Sequence, residues 1–528
     1  MSPQHQADIA ARVIRVLEGS HAAQAAGDVK ALSQLRDEGT QLMLELAPLL
    51  EAGRDLRAAE MLLEVAYLNI QYQLASRSWL LATGACTLLS GAVATITTGI
   101  TYDEYTDPQR RLLDLMARMR NVAEVAACAA HQSGQLMNVL MCLEVQTGLL
   151  FDMLMSKTSG RAVQRRAADP FEQFCFTPRY AHAIRAARIT GRTILYVVPG
   201  FSKYDGVAIR VNADDATGDL VESTWLPGLR AEALDAQLEQ VRTAFRRSGS
   251  PQELSARVQQ LLDWTGRHAW EAIAERWPDV VSRPLAVVPV SRAALLPLYT
   301  ATFRGEPACT VLDMTMAPSA RALHFAALGD TVPAVPDAYV AADAWHGDLT
   351  LGSVHAEATA VASVYGTEPV LYSTDEAAAS SPNPSTAGRL RTATVAHLAC
   401  HGTLDGTDLA ILLGGVVSLD QLLAVDDNVL PGRPVVVLSA CDLGGIAEEN
   451  ISAGQYGFPA GLLAIGARSV VGALWPVPDA RATIRVMKSF HRHLAAFPSH
   501  GALPAVITQA RRAEISPLIW GSLVHFGA

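Results

Sequence analysis

The spacing of apolar positions changes once along this chain. Up to about residue 160 they recur every three or four residues: Ile9, Val13, Ile14 and Leu17, then Val65, Leu68, Ile70 and Leu74. That spacing predicts amphipathic helices. Gly19, Gly27, Gly53 and Gly134 punctuate the pattern as helix ends, and Gly27-Asp28 and Gly53-Arg54-Asp55 each open a new helix, so helices are expected in pairs. Leu46 to Asn69 has the texture of a tetratricopeptide repeat, whose period is about 34 residues, although the register does not hold afterwards. Trp79 to Ile100 is nearly uncharged and about long enough to span a bilayer. Its Thr, Ser and Gly residues weaken it for lipid, and the expectation is one or two buried helices and no membrane span.

Beyond residue 190 the period shortens. Residues 161–189, rich in Arg and Ala, read as a linker. Thr193–Val198 and Asp205–Val211, split by Pro199-Gly200, read as a β-hairpin. Two amphipathic helices are expected over Arg230–Arg247 and Pro251–Arg276, and a strand over Leu285–Val290. Ala334–Asp348 and Ser373–Gly388, rich in Ala, Pro, Ser and Asp, read as loops.

Two further runs organise what remains. The first is Ala393-Thr-Val-Ala-His-Leu-Ala-Cys-His401-Gly402 and the second Val435-Val-Val-Leu-Ser-Ala-Cys441-Asp442-Leu-Gly444. Short apolar runs that end in turn residues are the habit of parallel strands buried on both faces. Between them stand a polar loop (Thr403–Asp408), a short strand (Leu409–Leu413), a helix (Ser418–Val425) and a turn (Leu430–Pro434). That is enough chain for a crossover between neighbouring parallel strands. Sites in open α/β sheets form beyond the carboxyl ends of the strands, which is where His401 and Cys441 fall.

A thiol is a weak nucleophile until a base or positive charge favours the thiolate, and histidine titrates in the right range to be that base. Gly402 lets backbone N–H groups approach a developing oxyanion. The order His then Cys on adjacent strands is what a caspase-like cysteine protease requires. Two other readings stand beside it. A cysteine at a strand end is most often packing. Cys400, His401 and Cys441 are also soft metal ligands, but no fourth ligand stands nearby, so no metal or other cofactor is expected. Strand alternation turns Cys400 to the face opposite His401, toward the core. Acidic residues gather around the pair: Asp405, Asp408, Asp442, Glu448 and Glu449. A carboxylate in the first substrate pocket would favour Arg or Lys before the cut bond, and Asp442 is best placed by sequence. Asp479 is either a pocket residue or the cap of a helix starting near Ala480, and the cap is the favoured reading.

Net charge is −10, which argues against nucleic acid as the main partner. The 7 scattered cysteines form no disulfide framework and fit a reducing, cytoplasmic setting. The first residues lack the basic start and apolar core of a signal peptide.

The two runs resemble the CHAT family of caspase-like domains, often joined to tetratricopeptide repeats. The resemblance extends to Ala286-Val-Val-Pro-Val-Ser to Pro297, to Ala317-Pro-Ser319, to His355-Ala-Glu357, to Gly461 through Trp475 and Asp479, and to Ser516-Pro517-Leu-Ile-Trp520 through Gly527. One departure is Asp442-Leu443-Gly444, where many members carry a small hydroxyl residue before the glycine. The resemblance implies a mostly parallel α/β caspase-like fold after an all-α, TPR-like region. The domains are then 1–160 helical and partner-binding or sensing, 161–189 linker, and 190–528 the CHAT domain, with a first lobe at 190–330 and a catalytic lobe at 331–528. It implies a cysteine endopeptidase in which Cys441 attacks, His401 moves the proton, and the N–H groups of Gly402 and Cys441 hold the oxyanion. A protein substrate, a regulatory partner on the helical region and a role in bacterial defence or cell death follow from the same resemblance. The alternative is a catalytically silent scaffold or signalling protein on the same fold.

Overall fold

The computed structural model describes residues 3–51, 61, 65–66, 70, 79–99, 122–148, 179–213, 220–247, 249–328, 337–346, 349–372, 384–405, 408–414, 416–418, 433–440, 457–496 and 498–528. Cys441, Asp442, Glu448 and Glu449 lie outside these residues, as do residues 419–425 of the helix expected after Ser418 and much of Leu46–Asn69.

The apolar runs become strands. In chain order these are β1 (Thr193–Val198), β2 (Gly206–Val211), β3 (Val221–Leu226), β4 (Leu285–Pro289), the short pair β5 (Thr302–Phe303) and β6 (Glu306–Pro307), and β7 (Met314–Met316). Then come β8 (Ala338–Asp343), the short pair β9 (Trp345–His346) and β10 (Leu349–Thr350), β11 (Val370–Tyr372), β12 (Val395–Asp405) and β13 (Asp408–Leu412). The last are β14 (Val416–Ser418), β15 (Val435–Ala440), β16 (Ser469–Ala473) and β17 (Leu523–Gly527). One sheet carries the order β11-β8-β12-β15-β16-β17-β7-β4-β1-β2-β3, with β13 and β14 added beside β12. The block β11-β8-β12-β15-β16 is parallel throughout. The expected hairpin is β1–β2, antiparallel, with Ile194 against Val211.

Three loop or linker expectations are corrected. Ala334–Asp348 contains β8, which pairs with β11 and β12 inside the parallel block. Its Ala-Tyr-Val-Ala-Ala-Asp sequence hides the strand, because alanine is depleted in strands generally yet fits beneath a close helix. Part of the second loop, Ser373–Gly388, belongs to the helix Pro384–Thr392. The linker ends in the helix Arg179–Thr190, which buries Ala183, Ala186 and Ala187 while its arginines made it read as a solvated tether.

The helices follow their local signals. Ser250 accepts from the Glu253 N–H at 3.2 Å and Pro251 opens the helix that follows, Pro251–Thr265. This helix continues toward Arg276, as expected, but through a π-helical turn over Gly266–Glu271. Gly266 opens that turn at a close approach: a Cβ there would stand 1.7 Å from the Thr302 carbonyl oxygen. In the amino-terminal region Gly27 (φ 66°) ends the helix Pro3–Ala26, and Asp28 accepts from the Ala31 N–H at 2.9 Å to start Val29–Glu51. Gly19 ends no helix. It lies within the first one, where a Cβ would meet Leu35 at 3.1 Å, so it is a close-packing glycine. Trp79–Gly99 is one helix burying Ala82, Ala85, Cys86, Leu89 and Val93; among the described residues no helix is long and apolar enough to cross a membrane.

Strand alternation divides the first half of the sheet between two cores. On β1, Leu195 and Val197 join one core with the helices Ala231–Arg246 and Pro251–Thr265; Ile194, Tyr196 and Val198 join the other, with the amino-terminal helices. β4 splits in the same way, Leu285 and Val287 against Ala286 and Val288. The helical region therefore covers one face of the sheet directly. Two buried carboxylates from it stitch the contact. Glu144, on the helix over 136–148, accepts from the Tyr196 hydroxyl (2.6 Å) and from the N–H groups of Ala320 (3.0 Å) and Arg321 (2.9 Å). These two amides open the helix Ala320–Ala327, whose N-cap Ser319 comes from the Pro-Ser motif. Glu124 accepts from the Ser291 hydroxyl at 2.8 Å. At the far end of Ala320–Ala327, the Ala326 carbonyl accepts from the guanidinium of Arg433, which leads into β15.

Candidate active site

β12 and β15 are parallel neighbours, paired from Val395 against Val435 to Cys400 against Ala440. The expected crossover is thus present. β12 does not end at Gly402. It runs on to Asp405 and exchanges its parallel partner for the antiparallel β13, with His401 against Leu412 and Gly402 against Ile411. Of the segment Thr403–Asp408 read as a polar loop, Thr403–Asp405 belongs to β12 and Asp408 to β13, with Asp405 paired against Asp408. Its polar, turn-like composition concealed the pairing, which the apolar Leu409–Leu412 supplies from the partner side. His401 therefore sits at the junction where the parallel ladder gives way to the hairpin, half-buried, as is Gly402. Asp405 and Asp408 are four pairs along that hairpin, about 13 Å from His401 at the rise of a strand. Cys400 is fully buried in the core.

The hairpin is pinned from below. The buried Asp343, at the carboxyl end of β8, accepts from the Gly414 N–H at 2.7 Å, where Gly414 turns with φ 63°. Asp479 does not cap the helix that follows it. That helix, Arg481–Leu494, has Ala480 at its N-cap and no side-chain cap. The Asp479 carboxylate accepts instead from the Ser353 N–H at 3.0 Å, at the start of the helix Val354–Tyr365. A carboxylate at a helix start is favourable wherever it comes from, and sequence proximity pointed to the wrong helix.

Behind β12 lies a buried chain of polar groups. The Glu357 carboxylate meets His397 Nε2 at 3.0 Å, His397 Nδ1 meets His491 Nε2 at 3.0 Å, and His491 Nδ1 meets the Tyr365 hydroxyl at 2.8 Å. Glu357, His397 and His491 are each at most 3% exposed. Burial, then the neighbouring His397, holds His491 well below the ordinary histidine range, so it is neutral. Burial raises the Tyr365 hydroxyl above its ordinary range, so it keeps its proton. Sequence reasoning singled out Glu357 only as part of a motif and missed His397, His491 and Tyr365. One signal was available: His397 and His401 are four apart in one strand, which puts them on one face. Two other motif residues make hydrogen bonds that hold the last helix in place. The Trp475 indole donates to the Leu518 carbonyl at 2.9 Å, and the Ser516 hydroxyl accepts from the Leu518 N–H at 3.2 Å. Among the described residues, no cluster of three His, Cys, Asp or Glu side chains is arranged to hold a metal ion.

A family model described as the CHAT domain matches residues 239–528. Among solved structures, the chain is similar to one from the separase–securin complex of Saccharomyces cerevisiae, with 9% sequence identity and a TM-score of 0.48. That match covers 96% of this chain and 48% of the other, so the chain spans about half the length of that relative. No curated protein matches it.

Proposed function

Because the chain belongs to the CHAT domain family, with a mostly parallel sheet flanked by helices and a helical amino-terminal region, we propose that it is a cysteine endopeptidase with a His401–Cys441 dyad. One observation carries the reading. The parallel ladder between β12 and β15 closes on Cys400 against Ala440, and the next residue on each chain segment is His401 and Cys441 respectively. Ala440, the residue before Cys441 in sequence, thus ends its strand beside the strand that carries His401, at the carboxyl edge where α/β sheets place their chemistry, and this supports pairing the two residues as base and nucleophile.

In this reading Cys441 attacks a peptide carbonyl as the thiolate, and its proton goes to His401. The tetrahedral oxyanion takes hydrogen bonds from the N–H groups of Gly402 and Cys441. His401 then returns the proton to the leaving amine, and water, deprotonated by the same imidazole, releases the acyl group from sulfur. The acidic residues Asp442, Asp405 and Asp408 favour Arg or Lys before the cut bond, with Asp442 the nearest in sequence; the role of Asp479 at Ser353 leaves it the weakest pocket candidate. The substrate is a companion protein, and a partner bound by the TPR-like helices regulates cutting in a cytoplasmic bacterial defence or cell-death system. The domain division at 1–160, 161–189 and 190–528 belongs to the same proposal, with the helix Arg179–Thr190 assigned to the catalytic side.

The test is labelling with peptide acyloxymethyl ketones bearing Arg, Lys or Asp at the leading position. Labelling by the basic probes that Cys441→Ala and His401→Ala abolish is expected. Labelling by the Asp probe alone keeps the peptidase and removes the acidic pocket. Cleavage or labelling that persists in Cys441→Ala overturns the dyad.

A further inference from the structure

We propose that Glu357, His397 and His491 are positioning residues for His401: together they fix β12 against its two covering helices, and so fix where the base stands. The proposal rests on the dyad reading above and adds to it a set of residues that touch neither substrate nor nucleophile.

The contacts run as one unbroken line. Glu357 Oε1 meets His397 Nε2, His397 Nδ1 meets His491 Nε2, and His491 Nδ1 meets the Tyr365 hydroxyl. A neutral His491 carries one N–H, so it donates to one of its two partners and accepts from the other. Both nitrogens of each ring are thereby engaged, and the hydrogen placement on each ring is tied to that on its neighbour. The chain joins three elements. Glu357 and Tyr365 belong to the helix Val354–Tyr365, His491 to the helix Arg481–Leu494, and His397 to β12. His397 is thereby held by both helices at once. The first of these helices is itself located at its start by the Asp479 contact to Ser353.

His397 and His401 lie on the same face of one strand, two pleats apart, about 13 Å at strand rise. A strand is stiff over that length, so fixing the roll and slide of β12 at His397 fixes them at His401. Backbone pairing to β8 and β15 alone would not define the position of the strand relative to the helices above it. An apolar side chain at 397 would pack there and slide more freely; a chain of hydrogen bonds from two helices permits one alignment. Buried polar groups are best attested in this use, where they set register.

The experiment uses the full chain and reads Cys441 itself, so that it does not depend on turnover. The rate of Cys441 alkylation by iodoacetamide, followed by peptide mass spectrometry, reports the thiolate that a well-placed His401 favours. The rate in His401→Ala defines the floor. Glu357→Ala is expected to fall to within twofold of that floor, about tenfold below the unmodified chain. Glu357→Gln keeps an oxygen that accepts from His397 and is expected to stay within twofold of the unmodified chain. Tyr365→Phe removes a part-buried hydrogen bond from the end of the network farthest from β12. It is expected to lower thermal stability and leave the alkylation rate within twofold. If Glu357→Ala does not fold, Glu357→Asp, which withdraws the acceptor by one methylene, is expected to lose at least threefold. The proposal is overturned if folded Glu357→Ala or Glu357→Asp alkylates like the unmodified chain. It is equally overturned if the rates of Glu357→Ala and Tyr365→Phe fall together in proportion to their loss of stability. A chain that cleaves no peptide but shows the expected alkylation pattern retains the positioning network and loses the peptidase reading. Cleavage with an unaltered pattern does the reverse.

Discussion

Replacing Glu144 with alanine removes one buried side chain from the amino-terminal region and undoes three hydrogen bonds to the sheet-bearing part of the chain. Its carboxylate accepts from Tyr196 at 2.6 Å, Ala320 at 3.0 Å and Arg321 at 2.9 Å. Hydrogen bonds to a charged group contribute at least about 1.5 kcal/mol each, which gives about 4–5 kcal/mol for the three. Relief from burying the charge returns part of this. A buried phenol without an acceptor and two open helix-start amides subtract again, though Ser319 still caps one further amide of that turn. The expected net loss is about 3 kcal/mol for Glu144→Ala and about 2 kcal/mol for Glu144→Gln, which keeps one acceptor. Urea unfolding followed by tryptophan fluorescence measures the difference, and hydrogen exchange at the Ala320 and Arg321 amides locates it. If Glu144→Ala unfolds within 1 kcal/mol of the unmodified chain and both amides stay protected, the carboxylate does not tie the helices to the sheet, and the reasoning fails.

Gly266→Ala must displace the Thr302 carbonyl that would stand 1.7 Å from the new methyl; a loss of about 3 kcal/mol is expected, and calorimetry showing less than 1 kcal/mol would refute the close approach. Asp479→Ala removes the acceptor for the Ser353 N–H; about 1 kcal/mol is expected from a lost cap, with faster exchange at that amide and none at Arg481. Burial, followed by the charges of Arg185 and Arg321, lowers His324 to about 4. Its folded-state pKa lies below the unfolded value of about 6.5, so the unfolded chain binds the proton more tightly. The stability it permits is complete above pH 6.5 and is lost as pH falls to 4, by about 3 kcal/mol. Urea midpoints measured across that window should fall more shallowly in His324→Phe than in the unmodified chain, and equal slopes would show that another group governs acid sensitivity.

The elements that chain pattern made legible are those whose own composition decides them. β15 is β-branched and apolar, β12 opens on a short apolar run that closes in glycine, Pro251 follows a capping serine, and Gly27 sits between two periodic segments, so each declares itself locally. The failures share a cause. β8 is built from alanines, and only the helix Val354–Tyr365 packed against it makes a strand of such small side chains worthwhile. Thr403–Asp405 extends β12 because β13 folds back on it, a fact that resides in the partner and not in the polar residues themselves. Around the candidate site, the strand that carries His401 was legible, whereas the Glu357–His397–His491–Tyr365 chain was not, because its members come from three elements that sequence separates by up to 134 positions (Glu357 to His491). Asp479 shows the same limit: it accepts from the Ser353 N–H, 126 residues earlier, at the start of another helix.

The division of β1 and β4 between two cores has a consequence for how the chain comes into being. Ile194, Tyr196, Val198 and Val288 have their dry surroundings only where the amino-terminal helices cover them. Those helices precede the strands in the chain, and synthesis proceeds from the amino terminus. They are therefore already made when the first strands emerge, and they serve the nascent sheet as a chaperone that never leaves. A shortened chain that starts at β1 would lack that companion and would present a wet, strand-rich apolar face to its neighbours, the usual beginning of aggregation.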